Sequence, residues 1–223
     1  MVFALDDSGS IANNDFWHMI SETRDLLSTA FTHEDRISIF TFDQLVRRRG
    51  TSFMPHLEAM AALPTPPARI AGWTALNQAI HLSNLEFELP QARDNAARIM
   101  IVITDGINNQ PGPTPSALVQ HANFLNVTIF TIGIGNVNVG VLLQLAYQTG
   151  GQFFHISDFA QLSYIFDQIR YGIRPGPTHG QLPMSYYELT QIFEFYGQRY
   201  YVIDVEMELY MQENERYDYQ DRY

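Results

Sequence analysis

Residues 98–104, Arg-Ile-Met-Ile-Val-Ile-Thr, make an almost unbroken apolar run that stops at Asp105-Gly106. A strand with water on one face alternates apolar and polar side chains, so an unbroken run needs cover on both faces. That cover is what a parallel sheet between two layers of helices provides. Residues 2–5 and 127–134 read the same way, and 36–42 is a further strand rich in β-branched and aromatic residues. Residues 45–49 add a short partner strand, and 152–156 a last one.

Helical spacing separates these strands. Phe16, Met19, Ile20, Leu26, Leu27 and Ala30 recur on one face of 13–31, with Asn13 or Asn14 placed to cap it. Residues 57–62 form a short helix stopped by Pro64, Pro66 and Pro67, and 74–85 a second long one. Residues 115–125 begin with proline in the first turn, 139–147 end before Gly150-Gly151, and 159–171 close the series. Strands and helices alternate through about residue 172. The pattern predicts an α/β fold: a doubly wound, mostly parallel sheet with helices on both faces. Ligands of such sheets bind beyond the carboxyl ends of the strands, where the loops after Leu5, Thr104 and Ile134 gather.

The composition shifts after this domain, 1–172. Residues 173–184 are rich in proline and glycine and read as a linker. Residues 185–223 hold nine of the 12 tyrosines and form an acidic C-terminal extension, or the start of a neighbouring domain. Within it Ile203, Val205, Met207, Leu209 and Met211 alternate with Asp204, Glu206 and Glu208, a half-buried strand pattern whose acidic row offers oxygen to Ca²⁺ or simply faces solvent.

Several function classes drop out. A net charge of −11 opposes nucleic-acid binding, which needs a basic face. No cysteine is present, and all 13 basic residues are arginine, so thiolate ligands, cysteine nucleophiles, Schiff bases and a P-loop lysine are absent. No run approaches the ~20 apolar residues of a membrane span. The seven histidines are scattered without metal-ligand spacing. Ser8 lacks the frame of a nucleophile elbow, and Gly133-x-Gly135 lacks the third glycine of a dinucleotide site. Asn126-Val127-Thr128 is a glycosylation sequon at the start of a buried strand, and Arg47-Arg48-Arg49 is the one basic cluster, a solvated face or a contact for an anionic polysaccharide.

The chemistry concentrates in Asp6-Asp7-Ser8-Gly9-Ser10, directly after the first strand. In an extended segment Asp6, Ser8 and Ser10 point the same way, presenting one carboxylate and two hydroxyls to one point. Oxygen-only ligands suit hard cations. Thr104-Asp105-Gly106 adds a second carboxylate at the end of the central strand, and Gly72-Trp73-Thr74 a hydroxyl ahead of a helix. Taken singly, Thr74 also reads as a helix N-cap and Asp105 as a turn residue.

With VFALDDSGSI at 2–11, GWTAL at 72–76, IVITDG at 101–106, IFTIGIG at 129–135 and the run 145–159, the chain resembles a von Willebrand factor type A domain, the inserted domain of integrins. The resemblance implies a metal-ion-dependent adhesion site at Asp6, Ser8, Ser10, Thr74 and Asp105. Mg²⁺ or Mn²⁺, in preference to Ca²⁺, would sit there, and an acidic side chain of a protein partner would complete its shell. It implies an extracellular or cell-surface binding module of a larger multidomain protein, with a collagen-like or matrix partner, and no enzyme. The alternative is an intracellular assembly subunit using the same docking site. Asp7 stands where the family often has glycine; its side chain is expected to point away from the ion while adding negative charge nearby.

Overall fold

The computed structural model describes residues 1–66, 72–93 and 95–173. The linker and the tyrosine-rich extension, with Asp204, Glu206 and Glu208, lie outside the described residues.

Six strands form one sheet: β1 (Val2–Asp6), β2 (Ile37–Phe42), β3 (Val46–Met54), β4 (Arg98–Thr104), β5 (Val127–Ile134) and β6 (Phe153–Ile156). Their order is β3-β2-β1-β4-β5-β6, parallel throughout except for the antiparallel β2–β3 pair. The unbroken apolar runs end up where they must. Every residue of β1 and β2 is buried, and β4 is buried from Ile99 on. Alternate residues feed two cores. Phe3, Leu5, Ile101 and Ile103 pack against α1 (Asn13–Ala30), α2 (His56–Ala62) and α6 (Leu162–Ile173). Val2, Ala4, Met100 and Val102 pack against α3 (Leu76–Glu86), α4 (Pro115–Phe124) and α5 (Val139–Tyr147). The doubly wound sheet expected from the sequence is the fold observed.

The local departures have physical causes. α1 starts after Ala12 with no side-chain cap, so neither Asn13 nor Asn14 performs the expected role. Thr114 and Asn138 do cap α4 and α5, accepting from Ala117 N–H and Val141 N–H. β3 runs to Met54, well past residue 49. Gly50 (φ 71°) and Phe53 (φ 50°) let it bulge, and the buried Ser38 hydroxyl accepts the Phe53 N–H at 2.7 Å. The last helix is preceded by a 3-10 turn, Phe159–Gln161. α5 closes as expected on Gly150 (φ 77°), with Gly151 N–H bonded back to the Ala146 carbonyl.

The chain winds outward from β1 in one direction through β2 and β3, and in the other through β4, β5 and β6. The reversal lies between β1 and β4, so the segments that follow them go to opposite faces: α1 to one, α4 to the other. A crevice opens between their carboxyl ends. Asp6 ends β1 and Asp105 follows β4.

Candidate metal centre

Asp6 is fully buried at the floor of this crevice. Its Oδ1 accepts the Ser8 N–H at 2.7 Å, which folds the Asp6–Ser8 segment back on itself. Its Oδ2 accepts the Thr104 hydroxyl at 2.5 Å. Thr104 also accepts the Gly106 N–H at 3.1 Å, so one residue fixes both the buried carboxylate and the turn that carries Asp105. Above the floor, the Ser8 and Ser10 hydroxyls lie 3.0 Å apart, and Ser10 Oγ donates to Asp105 Oδ1 at 2.5 Å. Ser8 is buried, while Ser10 and Asp105 open toward solvent.

Thr74 arrives from a third loop. It lies two residues ahead of α3, whose N-cap is Ala75, and no side chain caps that helix. The cap role therefore falls away, and the loop is held by other means. Thr74 N–H donates to Asn109 Oδ1 at 2.8 Å, Asn109 N–H returns to the Thr74 carbonyl, and Gly9 N–H donates to the Gly72 carbonyl. The Thr74 hydroxyl packs on Gly106: a Cβ there would stand 2.9 Å from Thr74 Oγ1. The loops of Asp6, Thr74 and Asp105 thus meet at one place, with Thr74 joined through Gly106.

Burial pushes the Asp6 carboxyl up to about 7, against the hydrogen bonds from Thr104 and Ser8, and the Asp105 carboxylate adds to the rise. A buried carboxylate with a second one beside it attracts a cation, and the neighbouring donors are all hard oxygens. The residues present fit a divalent ion. Among the described residues no three His, Cys, Asp or Glu side chains form a metal cluster, so this fit rests on two carboxylates completed by hydroxyls.

Two neighbours refine the sequence reading. Asp7 is buried, its N–H bonded to the Phe42 carbonyl, and its carboxylate acts on Arg49. Burial lowers the Arg49 pKa and Asp7 opposes that fall, so the charge added by Asp7 is met by a guanidinium. The arginine run is not an open basic face. Arg47 pairs with the buried Asp43 at 2.8 Å, Arg48 with Ser52 and the buried Glu86, and Arg49 with the Thr41 hydroxyl. Asn126 of the sequon is exposed in a left-handed turn before β5. Sequence reasoning missed Thr104 as a site residue, although it was adjacent to Asp105. The rim also carries exposed apolar side chains: Trp73 (61 % exposed) beside Thr74, Ile107 (49 %) after Gly106, and Leu45 (59 %) after β2.

Comparison with known proteins agrees with this architecture. Residues 1–168 match the family described as the von Willebrand factor type A domain. The mouse collagen alpha-5(VI) chain is 27 % identical over 179 residues, covering 74 % of this chain and 6 % of its own length. Mouse integrin alpha-X is 27 % identical over 139 residues, covering 60 % of this chain and 12 % of its own. The chain thus spans a small part of the curated relatives it matches. Among solved structures, proximal thread matrix protein 1 from the mussel byssus, with a zinc-occupied MIDAS motif, superposes with a TM-score of 0.63 at 22 % identity, over 76 % of this chain and 44 % of that one. BatB from Bacteroides thetaiotaomicron gives 0.61 at 19 % identity, over 76 % and 96 %. The family match over nearly all of the described chain, on a doubly wound sheet with its crevice between β1 and β4, makes this chain a member of the von Willebrand factor type A domain family.

Proposed function

We propose that this domain binds another protein through a divalent cation held by Asp6, Ser8, Ser10, Thr74 and Asp105. One observation carries the reading: the hydrogen-bonded chain Ser8–Ser10–Asp105 stands over a fully buried carboxylate at the switch point of the sheet. Mg²⁺ or Mn²⁺ suits a compact all-oxygen donor set better than Ca²⁺, which takes more ligands. When bound, the cation supplies a positive docking point for an acidic side chain of the partner.

The chain's own residues do the rest. Thr104 and the Ser8 N–H hold the two oxygens of Asp6 in place, and Ser10 orients Asp105. Neutral hydroxyls leave much of a divalent charge uncompensated, so a carboxylate from outside is attracted at short range even though the chain carries −11 overall. Trp73, Ile107 and Leu45 surround the mouth with apolar surface, which favours a partner whose acidic residue is flanked by apolar groups. The serine hydroxyls bond to each other and to Asp105, with no histidine in the chain of bonds, an arrangement for binding rather than nucleophilic catalysis. Likeness to collagen VI and integrin chains supports an extracellular setting and a matrix or collagen-like partner.

The test is calorimetric titration of Mg²⁺ and Mn²⁺ into the protein, with Asp6→Ala and Asp105→Ala beside it. A collagen-like triple-helical peptide bearing one glutamate between apolar residues is then offered to the loaded protein, with and without EDTA. Metal binding in the wild type, its loss in both variants and an EDTA-sensitive peptide complex are expected. A wild type that binds no metal, or variants that bind it equally well, overturns the site.

A further inference from the structure

Asn126-Val127-Thr128 is the one Asn-X-Ser/Thr sequon of the chain, and the metal site makes no use of it. The sequence places it at the start of a buried strand, where a bulky glycan has no room. The structure sets the boundary one residue later. β5 begins at Val127, which is buried, and Asn126 stands outside it, exposed, in the corner that follows α4. Helix α4 ends on Phe124 and Leu125 is its C-cap. Asn126 then takes the left-handed conformation (φ 54°), its N–H bonded to the Asn123 carbonyl at 3.1 Å.

The corner accounts for the backbone of Asn126 but gives its side chain no task. That amide bonds to no described residue. Other asparagines use theirs: Asn123 donates to the Gln148 carbonyl, Asn84 donates to the Leu118 carbonyl, Asn109 accepts the Thr74 N–H and Asn138 caps α5. Two residues before Asn126 stands Phe124, 82 % exposed, the most exposed large apolar side chain among the described residues. A bare ring there is hydrated at a cost and packs against little. Chain geometry alone holds the Phe124 and Asn126 Cα atoms within about 7 Å of each other.

We infer that Asn126 carries an N-linked glycan whose first sugar packs on the Phe124 ring. In the transfer, Asn126 Nδ2 bonds to the anomeric carbon of an N-acetylglucosamine on a lipid-linked oligosaccharide. The bond from that carbon to the diphosphate oxygen breaks, the lipid diphosphate leaves, and Nδ2 gives up one proton, with no change in oxidation state. Thr128 supplies the hydroxyl that the transferase reads two residues on. The link is covalent, so the sequon decides what occupies the corner. The C–H face of a pyranose is apolar and slightly positive, which suits the negative face of an aromatic ring. The inference rests on the extracellular setting proposed above, since that route passes the transferase. Its place suits a binding module. β5 runs parallel to β4 and β4 to β1, so Asn126 lies at the amino ends of the strands and the metal crevice at their carboxyl ends. The eight residues of β5 span about 26 Å, which leaves the docking face open.

The test produces the full 223-residue chain in eukaryotic cells behind an added secretion leader, beside the same chain from a bacterial host that lacks the transferase. The secreted form is expected to exceed 25.5 kDa and to return to that mass with a glycan-releasing amidase, while secreted Asn126→Gln and Thr128→Ala never leave it. The glycosylated form is expected to melt about 2–4 °C above the bacterial form. Phe124→Ala keeps the sequon and the glycan and is expected to lose that gap. A secreted, folded chain without a glycan overturns the inference. A gap absent from the wild type, or undiminished in Phe124→Ala, overturns the packing on the ring. The leader takes the chain past the transferase by itself, so a missing glycan counts against Asn126 and leaves the extracellular setting standing. Mg²⁺ titration of the two forms reads the metal site separately and is expected to give equal affinities.

Discussion

Replacing Thr104 by valine removes a single hydroxyl of nearly unchanged shape from beneath the crevice. That hydroxyl donates to Asp6 Oδ2 at 2.5 Å in a fully buried setting. A hydrogen bond to a buried charged group is worth about 1.5–3 kcal/mol. At 1.36 kcal/mol per factor of ten, its loss shifts the balance of Asp6 toward the neutral acid by about ten- to a hundredfold. Asp6 sits at about 7 before the change, so at neutral pH most of that shift falls on the form that binds metal. The Mn²⁺ dissociation constant at pH 7 is therefore expected to rise about ten- to a hundredfold, with the gap narrowing as pH rises toward 9 and deprotonation is recovered. Calorimetric titration between pH 6 and 9 measures this, and Thr104→Ser, which keeps the donor, is expected to restore most of the affinity. A correctly folded Thr104→Val variant binding Mn²⁺ within about twofold of wild type at pH 7 would refute the reasoning.

The raised Asp6 pKa also predicts how the metal-free protein responds to pH. An acid whose folded pKa lies above its ordinary 3.8 is accommodated best while protonated in both states, so the Asp6 contribution to stability in EDTA is full below about pH 4, is lost between about pH 4 and 7 by up to about 4 kcal/mol, and is level above that. Melting curves of the wild type beside Asp6→Asn from pH 4 to 8 should show this decline as the difference between the two, since the buried Met1 amine, lowered to about 5, acts in the opposite sense in both, and saturating Mg²⁺ should reverse it in the wild type at the upper end. Gly151→Ala places a Cβ 1.9 Å from the Ile129 carbonyl oxygen, a backbone atom that cannot turn aside, and is expected to cost about 3 kcal/mol or more by urea unfolding. Gly135→Ala has φ 65° but meets nothing within 4 Å, so its cost is expected to be about 1 kcal/mol. Trp73→Ala is expected to weaken the peptide complex by about 2 kcal/mol, roughly thirtyfold, while leaving Mg²⁺ affinity unchanged, since its side chain lies on the rim.

The central strands were legible because burial on both faces leaves an unbroken apolar run, and nothing in a loop imitates 98–104. The three loops of the site were legible because each follows a strand or precedes a helix whose position the fold dictates. What stayed hidden depended on contacts distant in sequence. Thr104 reads as the last β-branched residue of a strand, and only its neighbour across the sheet, Asp6, gives it a role. Thr74 offers the right residue type for a cap, but Asn109 and Gly72 fix the loop so that helix α3 begins beyond it. β3 was read too short because Gly50 and Ser52 break the strand pattern, and the Ser38 hydroxyl that holds the far end comes from the neighbouring strand. The arginine run looked solvated because its acceptors, Asp43, Glu86, Ser52 and Thr41, mostly lie outside it on other elements.

The edges of the sheet bear on how such domains can be crowded together. An open strand edge is a template on which another chain can add, and a nine-residue edge like β3 is the kind most exposed to that hazard. Here the bulge around Gly50 and Phe53 disrupts the straight ladder an added strand would need, and the three consecutive arginines of this edge are already engaged by Asp43, Glu86, Ser52 and Thr41. At the opposite edge β6 is four residues long, too short to seed much pairing. Both margins of the described sheet therefore discourage strand addition, so copies of this domain can crowd together without their sheets joining edge to edge.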